Sequence, residues 1–238
     1  MKAVVLAAGC GKRLAALDWY KPKSLLKFGG QTLLENIIAS LLDNGINRAC
    51  FVLGYKKDLI LEVIRKYHIQ YDIVINKNYT ETNTINSLYL AKEYLDDDFI
   101  CFNADVLFEK RIVSELLVQS GNVFAIEVKK CRQEEVKVIV GDGNRIVGIG
   151  KDLDPSECLG EYIGIGKFSR STSCNLIHSL CRYNEELNER QQFYETAIAD
   201  ILDKHEFLAW PIGHLLAIEI DTPQDYEKAK RLWEEKGA

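Results

Sequence analysis

Apolar residues fall along the chain in two alternating rhythms: short, β-branched runs, and stretches spaced by three and four. Residues 2–8 (KAVVLAA) form a nearly unbroken apolar run, the pattern of a strand buried on both faces of a parallel sheet. Within residues 32–44, Leu33, Leu34, Ile37, Ile38, Leu41 and Leu42 recur at helical spacing. Thr32 and Glu35 stand as a capping box at the start of that helix, and Gly45 as its stop. The same reading predicts strands at 49–53, 71–75 and 99–102, with helices at 58–67 and 86–95. Such alternation predicts a mostly parallel α/β sheet flanked by helices. After about residue 120 the rhythm changes: residues 123–129, 135–140 and 145–148 read as antiparallel strands, with 141–144 (GDGN) as a hairpin turn. A strand at 161–168, helices at 173–182 and 189–204, strands at 207–211 and 215–220, and a helix over 223–235 complete the pattern. No internal repeat or Pro-rich linker interrupts it, so residues 1–238 are read as one domain, the second half elaborating the same sheet as a mixed, antiparallel addition.

Composition removes other classes. A hydrophobic share of 47% is too high for a disordered chain, and 4 Pro with 16 Gly are too few for a fibrous one. No run approaches the roughly 18 apolar residues of a membrane span, and the N-terminus lacks the length and cleavage pattern of a secretion signal. The 30 basic residues against 35 acidic give a net charge of −5, which argues against a general nucleic-acid binder. Seven cysteines are an odd number with no pair at C-x-x-C spacing, so a disulfide framework or zinc site is not expected and a reducing cytoplasm is. His68, His178, His205 and His214 share no ligand spacing and read as structural or surface residues.

Candidate chemistry changes this picture at one place. After the first strand comes Leu6-Ala7-Ala8-Gly9-Cys10-Gly11-Lys12-Arg13-Leu14. Parallel sheets bind ligands at such strand carboxyl ends, and two glycines let backbone N–H groups approach a phosphate. The stretch is neither of two familiar phosphate loops. A Walker A loop needs Ser or Thr after Gly-Lys, where this chain has Arg13; the dinucleotide fingerprint needs a third Gly, where it has Leu14. An ordinary βα turn remains the bland alternative. Against it, Lys12, Arg13, Lys21, Lys23 and Lys27 face a single acid, Asp18, over residues 12–27, and Pro22 stiffens the backbone before Lys23. That suits a bound polyphosphate.

These residues carry a resemblance. The L-x-A-G-x-G-x-R-L loop, the Pro22-Lys23 pair, and Gly29-Gly30 with Thr32-Leu33-Leu34-Glu35 resemble the nucleotidyltransferase family that includes the sugar-1-phosphate nucleotidylyltransferases. Asn78-Tyr79 followed by residues 82–88 (TNTINSL) is similar to the base-contacting segment of the bacterial phosphocholine, inositol-phosphate and aminoalkylphosphonate cytidylyltransferase branch. Residues 135–138, 149–153, 160–165 and 219–223 fit the same branch, so the resemblance spans nearly the whole chain. It implies a Rossmann-like nucleotidyltransferase fold, with 1–120 as the nucleotide-binding part and 121–238 as the acceptor-binding elaboration. It implies transfer of CMP from CTP to a small polar phosphate or phosphonate, with release of pyrophosphate. The alternatives are a sugar-1-phosphate nucleotidylyltransferase using UTP or another NTP, and a non-catalytic nucleotide-sensing module.

The roles implied by the resemblance are specific. Arg13, Lys23, Asp105 and Asp221 are the catalytic set, with Asp105 and Asp221 holding Mg2+. Leu6, Ala7, Ala8, Gly9, Cys10, Gly11, Lys12, Arg13, Asn83, Thr84, Ser87 and Asp105 would bind the nucleotide, and Lys151, Glu161, Tyr194 and Glu195 the acceptor. Helix capping is the competing explanation for Asn83 and Thr84, and core packing for Tyr162, Phe193, Tyr194 and Trp210, the aromatics available to face a cationic head group. Two departures stand out: Thr84 replaces the second of two adjacent asparagines expected in the branch, and Ala217 stands where the choline branch has tryptophan. The implied partners are small molecules only, with no nucleic acid and no membrane, and the chain is expected to be a monomer or homodimer.

Overall fold

β1 (Lys2–Ala7) is apolar because both of its faces are covered, and Ala3 to Ala7 are all buried. The computed structural model describes residues 1–11, 13–14 and 20–236. A two-stranded ribbon, β2 (Lys27–Phe28) with β3 (Gln31–Thr32), leads into α1 (Leu33–Asp43). The expected capping box is formed: Glu35 N donates to Thr32 Oγ1 at 3.1 Å and Thr32 N to Glu35 Oε2 at 2.8 Å. Then follow β4 (Arg48–Leu53), α2 (Lys57–Ile64), β5 (Gln70–Ile75), α3 (Thr84–Leu90) and β6 (Phe99–Asn103). Their strands lie parallel in the order β5–β4–β1–β6, as the alternation requires.

The rest of the chain adds β7 (Val106–Phe108), α4 (Arg111–Val118), β8 (Asn122–Val128), β9 (Lys137–Val140), β10 (Ile146–Gly150), β11 (Gly160–Phe168), α5 (Ser173–Cys181), α6 (Tyr194–Ala199), β12 (Phe207–Pro211), β13 (Ala217–Glu219) and α7 (Pro223–Glu235). β11 runs antiparallel to β6, β8 and β9, so strands of both halves share one mixed sheet. The antiparallel β9–β10 hairpin forms as expected, and Gly143 (φ 64°) and Asn144 (φ 61°) supply the left-handed turn conformations. One core lies between the sheet and α1, α2 and α4, a second packs α3, α5 and α6 against the opposite face, and a smaller third joins Leu14, Phe28 and Leu33 to Ile220 and Ala229. Among the described residues no helix is long and apolar enough to cross a membrane.

The short strands β2, β3 and β7 have no counterpart in the sequence expectation, and two helices depart from it. α4 was not anticipated, although Ile112, Val113 and Leu116 are its buried face. The helix expected over 189–204 is confined to Tyr194–Ala199. Asn188 there adopts φ 55°, and the carbonyls of Arg190 and Gln192 accept from Asn83 N (2.8 Å) and Ile85 N (3.3 Å) at the start of α3. Carbonyls spent on another helix's free N–H groups are not available for a helix of their own.

Candidate active site

The glycine loop leaves the carboxyl end of β1, and its neighbours converge there. Ala104 N donates to Leu6 O at 3.1 Å, which ties the end of β6 to β1, and Tyr55 N donates to Ala8 O at 3.1 Å from the end of β4. Asp105 therefore stands beside the loop. Asp221 reaches the same place through a second sheet. β13 pairs antiparallel with β7, Glu219 opposite Val106, and Ile220 N donates to Asp105 O at 2.9 Å. Thr222 and Asp225 form a capping box on α7 (Asp225 N to Thr222 Oγ1, 3.2 Å; Thr222 N to Asp225 Oδ2, 2.8 Å). This accounts for those two residues and leaves the Asp221 side chain for the cleft.

Around this junction opens a cavity of about 390 Å³. Its walls include the loop from Leu6 to Gly11, Arg13, Lys23, Asn83, Thr84, Ser87, Asp105, Lys151, Glu195 and Asp221. Lys12 lies outside the described residues. Lys23 Nζ donates to Asp221 Oδ1 and lies 3.4 Å from Asp105 Oδ2, while Arg13 Nη1 is 2.8 Å from Asp221 Oδ2. Burial alone would lower the Lys23 pKa, but the charges of Asp105 and Asp221 outweigh it and hold the ammonium above its ordinary value. Burial acts on Asp221 in the opposite sense and is overcome by Lys23 and Arg13, which hold its carboxyl below the usual range. A third carboxylate, Glu219, was not singled out from the sequence as a site residue. It opens to the cleft but is crowded by protein on its other sides; that desolvation, then the charges of Asp105 and Asp221, push its carboxyl well above the usual range. Oxygens of Asp105, Glu219 and Asp221 lie within 4.8 Å of one another, a hard-oxygen set that fits a magnesium ion.

The wall assigned to the base is built on α3. Asn83 caps that helix, its Oδ1 accepting from Thr84 N at 2.8 Å, so the capping explanation holds for Oδ1 and leaves Nδ2 for other partners. Thr84 Oγ1 accepts from Tyr194 N at 3.1 Å. Ser87 Oγ accepts from Asn76 Nδ2 at 3.2 Å. Asn76, buried at the end of β5, also donates to Thr82 Oγ1 (3.1 Å) and accepts from Asn78 N (3.0 Å), fixing the whole segment. A polar residue closing an apolar strand was the signal for it in the sequence.

The four residues assigned to the acceptor separate. Lys151 and Glu195 line the cleft; Glu161 and Tyr194 are not among its lining residues. Glu161 Oε2 lies 2.5 Å from Lys129 Nζ, which also contacts Glu127 (2.8 Å) and Glu135 (3.1 Å). Tyr194 is fully buried, its hydroxyl 2.8 Å from that of Tyr162. Lys151 Nζ sits 3.9 Å from the centroid of the Phe193 ring. Its backbone is held from below by Lys137, a fully buried lysine whose Nζ donates to Gln133 O (2.8 Å), Glu135 O (3.3 Å) and Lys151 O. Glu195 is buried with Oε2 unpartnered within the protein, and burial pushes its carboxyl up to about 7. Trp210, on β12, does not line the cavity.

Comparison with known proteins follows the same lines. The family model described as Nucleotidyl transferase matches residues 2–145. The chain is 25% identical over 232 residues to the choline-phosphate cytidylyltransferase of Streptococcus pneumoniae, covering 98% of each. It is 28% identical over 220 residues to the CTP:phosphoglutamine cytidylyltransferase of Campylobacter jejuni, covering 85% of this chain and 81% of that one. Among solved structures, the Streptococcus pneumoniae CTP:phosphocholine cytidylyltransferase superposes with a TM-score of 0.82 at 23% identity over 97% of this chain and 98% of that one. The inositol-1-phosphate CTP transferase from T. maritima gives 0.78 at 23% identity over 97% and 95%.

Proposed function

The chain belongs to the nucleotidyl transferase family, and from that premise we propose that it is a CTP-dependent cytidylyltransferase that joins CMP through an anhydride bond to a small polar phosphate or phosphonate. The observation that carries the reading is the convergence of Asp105, Asp221 and Lys23 beside the glycine loop, opposite a wall of Asn83, Thr84 and Ser87. Relatives named as cytidylyltransferases, aligned over most of their own length, support cytosine as the base.

In the reaction an oxygen of the acceptor attacks the α-phosphorus; a new P–O bond forms there, the bond to the β-phosphate oxygen breaks, and pyrophosphate leaves with the electron pair. A phosphomonoester is already largely ionised near neutral pH, its second pKa being about 6, so no strong base is needed. The obstacle is repulsion between anions, which positioned cations and N–H groups reduce. The amides of Gly9 to Gly11 and the side chains of Lys12 and Arg13 would bind the β- and γ-phosphates, and Lys23 the α-phosphate. A magnesium ion held by Asp105 and Asp221, with Glu219 within reach, would neutralise phosphate charge.

The acceptor end narrows the second substrate. Tyr162 stacks on Phe124 at 4.7 Å and Phe193 carries Lys151 on its face, so neither of these two rings is open to a trimethylammonium beside Lys151 and Glu195. The buried Glu195 carboxyl suits an amino or amide N–H. Residues 121–238 would thus serve the acceptor within a single domain. All seven cysteines are free, which supports work in a reducing cytoplasm.

Pyrophosphate release measured with four NTPs against a panel of acceptors tests the reading. Turnover with CTP and aminoalkyl phosphates or phosphonates is expected. Turnover of sugar 1-phosphates with UTP overturns it in favour of a sugar nucleotidylyltransferase. NTP binding without turnover on any acceptor overturns it in favour of a nucleotide-sensing module.

A further inference from the structure

In this structure the position between the two aspartates is taken by a side chain of the protein itself. Both oxygens of Asp221 are engaged, Oδ1 by Lys23 and Oδ2 by Arg13, and the nearer oxygen of Asp105 faces the same Lys23 ammonium at 3.4 Å. The Lys23 side chain is only 15% exposed, so its attraction to the pair is little screened by solvent. A divalent cation entering here must either displace the ammonium from the lone pairs it needs or stand within a few ångströms of a like charge.

The route by which Lys23 would leave is also visible. Pro22 precedes a single 3₁₀ turn, Lys23–Leu25, whose Ser24 and Leu25 are buried, so the backbone at Lys23 is anchored. The side chain runs directly over the phosphate loop: a Cβ placed on Gly11 would lie 2.7 Å from Lys23 Cγ. The ammonium is thus tethered over the loop amides, and rotation of the side chain can move it from the carboxylates toward a phosphate bound there. An anionic nucleotide supplies the competing partner that draws it away.

Resting on the metal reading of Asp105 and Asp221 above, we infer that Lys23 is an internal counter-ion that holds the metal site closed in the empty enzyme, so that the divalent ion and the nucleotide bind cooperatively and the ion binds poorly alone. Lys23 and Arg13 balance the charges of Asp105 and Asp221, so the pair is close to neutral while the lysine stands between them. With the lysine withdrawn the same site is more negative, and Asp221 Oδ1 and Asp105 Oδ2 are released. Lys23 is in this respect a positioning residue, in addition to any contact with phosphate.

Mn2+ binding to the full-length protein, followed by EPR of the free ion and by calorimetry, tests this with wild type, Lys23→Met and Lys23→Arg, each with and without α,β-methylene-CTP. Circular dichroism checks the fold of each. Wild type is expected to bind Mn2+ at least about tenfold more tightly with the analogue than without it. Lys23→Met should bind Mn2+ alone at least about tenfold more tightly than wild type, with the coupling reduced. Lys23→Arg, which keeps the cation, should remain close to wild type in the absence of nucleotide. A folded Lys23→Met protein whose Mn2+ affinity alone equals or falls below that of wild type overturns the counter-ion role while leaving the metal site standing. Absence of Mn2+ binding in all three proteins, with and without analogue, overturns the metal reading and this inference together.

Discussion

The ammonium of Lys151 stands 3.9 Å from the centroid of the Phe193 ring in the part of the cleft proposed to take the acceptor. The ring face fixes where that charge lies when no substrate is bound, and a cation–π contact of this kind contributes roughly 1 kcal/mol. Phe193→Leu keeps the apolar wall and removes the face. The expected result is a KM for the acceptor raised about fivefold, with the KM for CTP unchanged. Steady-state kinetics varying each substrate in turn separates the two; a change confined to CTP would remove Lys151 and Phe193 from the acceptor end.

Glu195 couples stability to pH. Burial pushes its carboxyl up to about 7, opposed by its own backbone N–H and by Lys151, against about 4.3 in an unfolded chain. At low pH both states hold the proton. As pH rises through about 4.3 the unfolded state releases it and the folded state does not, so stability falls until pH passes about 7 and then levels. Glu195→Gln removes the titration. Between pH 5 and pH 8 the variant should therefore gain on wild type by about 2 kcal/mol in urea denaturation. A gap that does not change with pH would show that Glu195 is ionised in the folded protein.

Lys137, to which the sequence assigns no role of its own, is fully buried and donates to the carbonyls of Gln133, Glu135 and Lys151. These bonds tie the turn before β9 to the end of β10, where Lys151 projects. Lys137→Met keeps the length and removes the donors, leaving three carbonyls unpaired, that of Glu135 in buried surroundings, at about 1–3 kcal/mol in all, allowing for relaxation. Thermal unfolding should fall by several degrees. The acceptor KM should rise, since Lys151 loses its support, while CTP binding by calorimetry stays near wild type. Loss of CTP binding by a folded variant would contradict this separation.

How much of this was legible in the sequence depends on how local the determining interactions are. β1 was readable because burial on both faces leaves a continuous apolar run, and α1 and α7 because Thr32–Glu35 and Thr222–Asp225 close their capping boxes within one turn. The meeting of Asp105 with Asp221 rests on β7 and β13, strands of three residues each whose pairing joins distant parts of the chain. No periodicity can show so short a ladder; the family resemblance alone pointed to it. The helix expected over 189–204 failed for a related reason, since the start of α3 takes the carbonyls of Arg190 and Gln192. Tyr194 and Glu161 carry functional groups that tertiary partners, Tyr162 and Lys129, already occupy. Which tyrosine or carboxylate faces a cleft is decided by the strand that covers it, information absent from its own neighbourhood.

The two glycines of the loop are glycine for different reasons, and substitution should distinguish them. Gly11 adopts φ 58°, where a side chain is strained, and a Cβ there would press on Lys23 Cγ at 2.7 Å. Gly9 has no positive φ, and a Cβ built on it meets nothing within 4 Å in the empty cleft. Structural need therefore explains Gly11, whereas Gly9 is left with close approach of the nucleotide as its reason. Gly11→Ala should cost about 1–2 kcal/mol of stability, from the backbone conformation and the displaced lysine, and lower CTP affinity as well. Gly9→Ala should unfold at the wild-type temperature within about a degree, because the site is open and the residue's conformation is ordinary. Its CTP affinity should nonetheless fall about tenfold, since the added methyl group occupies the space between the backbone and the ligand. Thermal denaturation paired with calorimetric CTP titration reads both quantities on the same protein. Wild-type CTP affinity in Gly9→Ala would place the nucleotide elsewhere than on this loop.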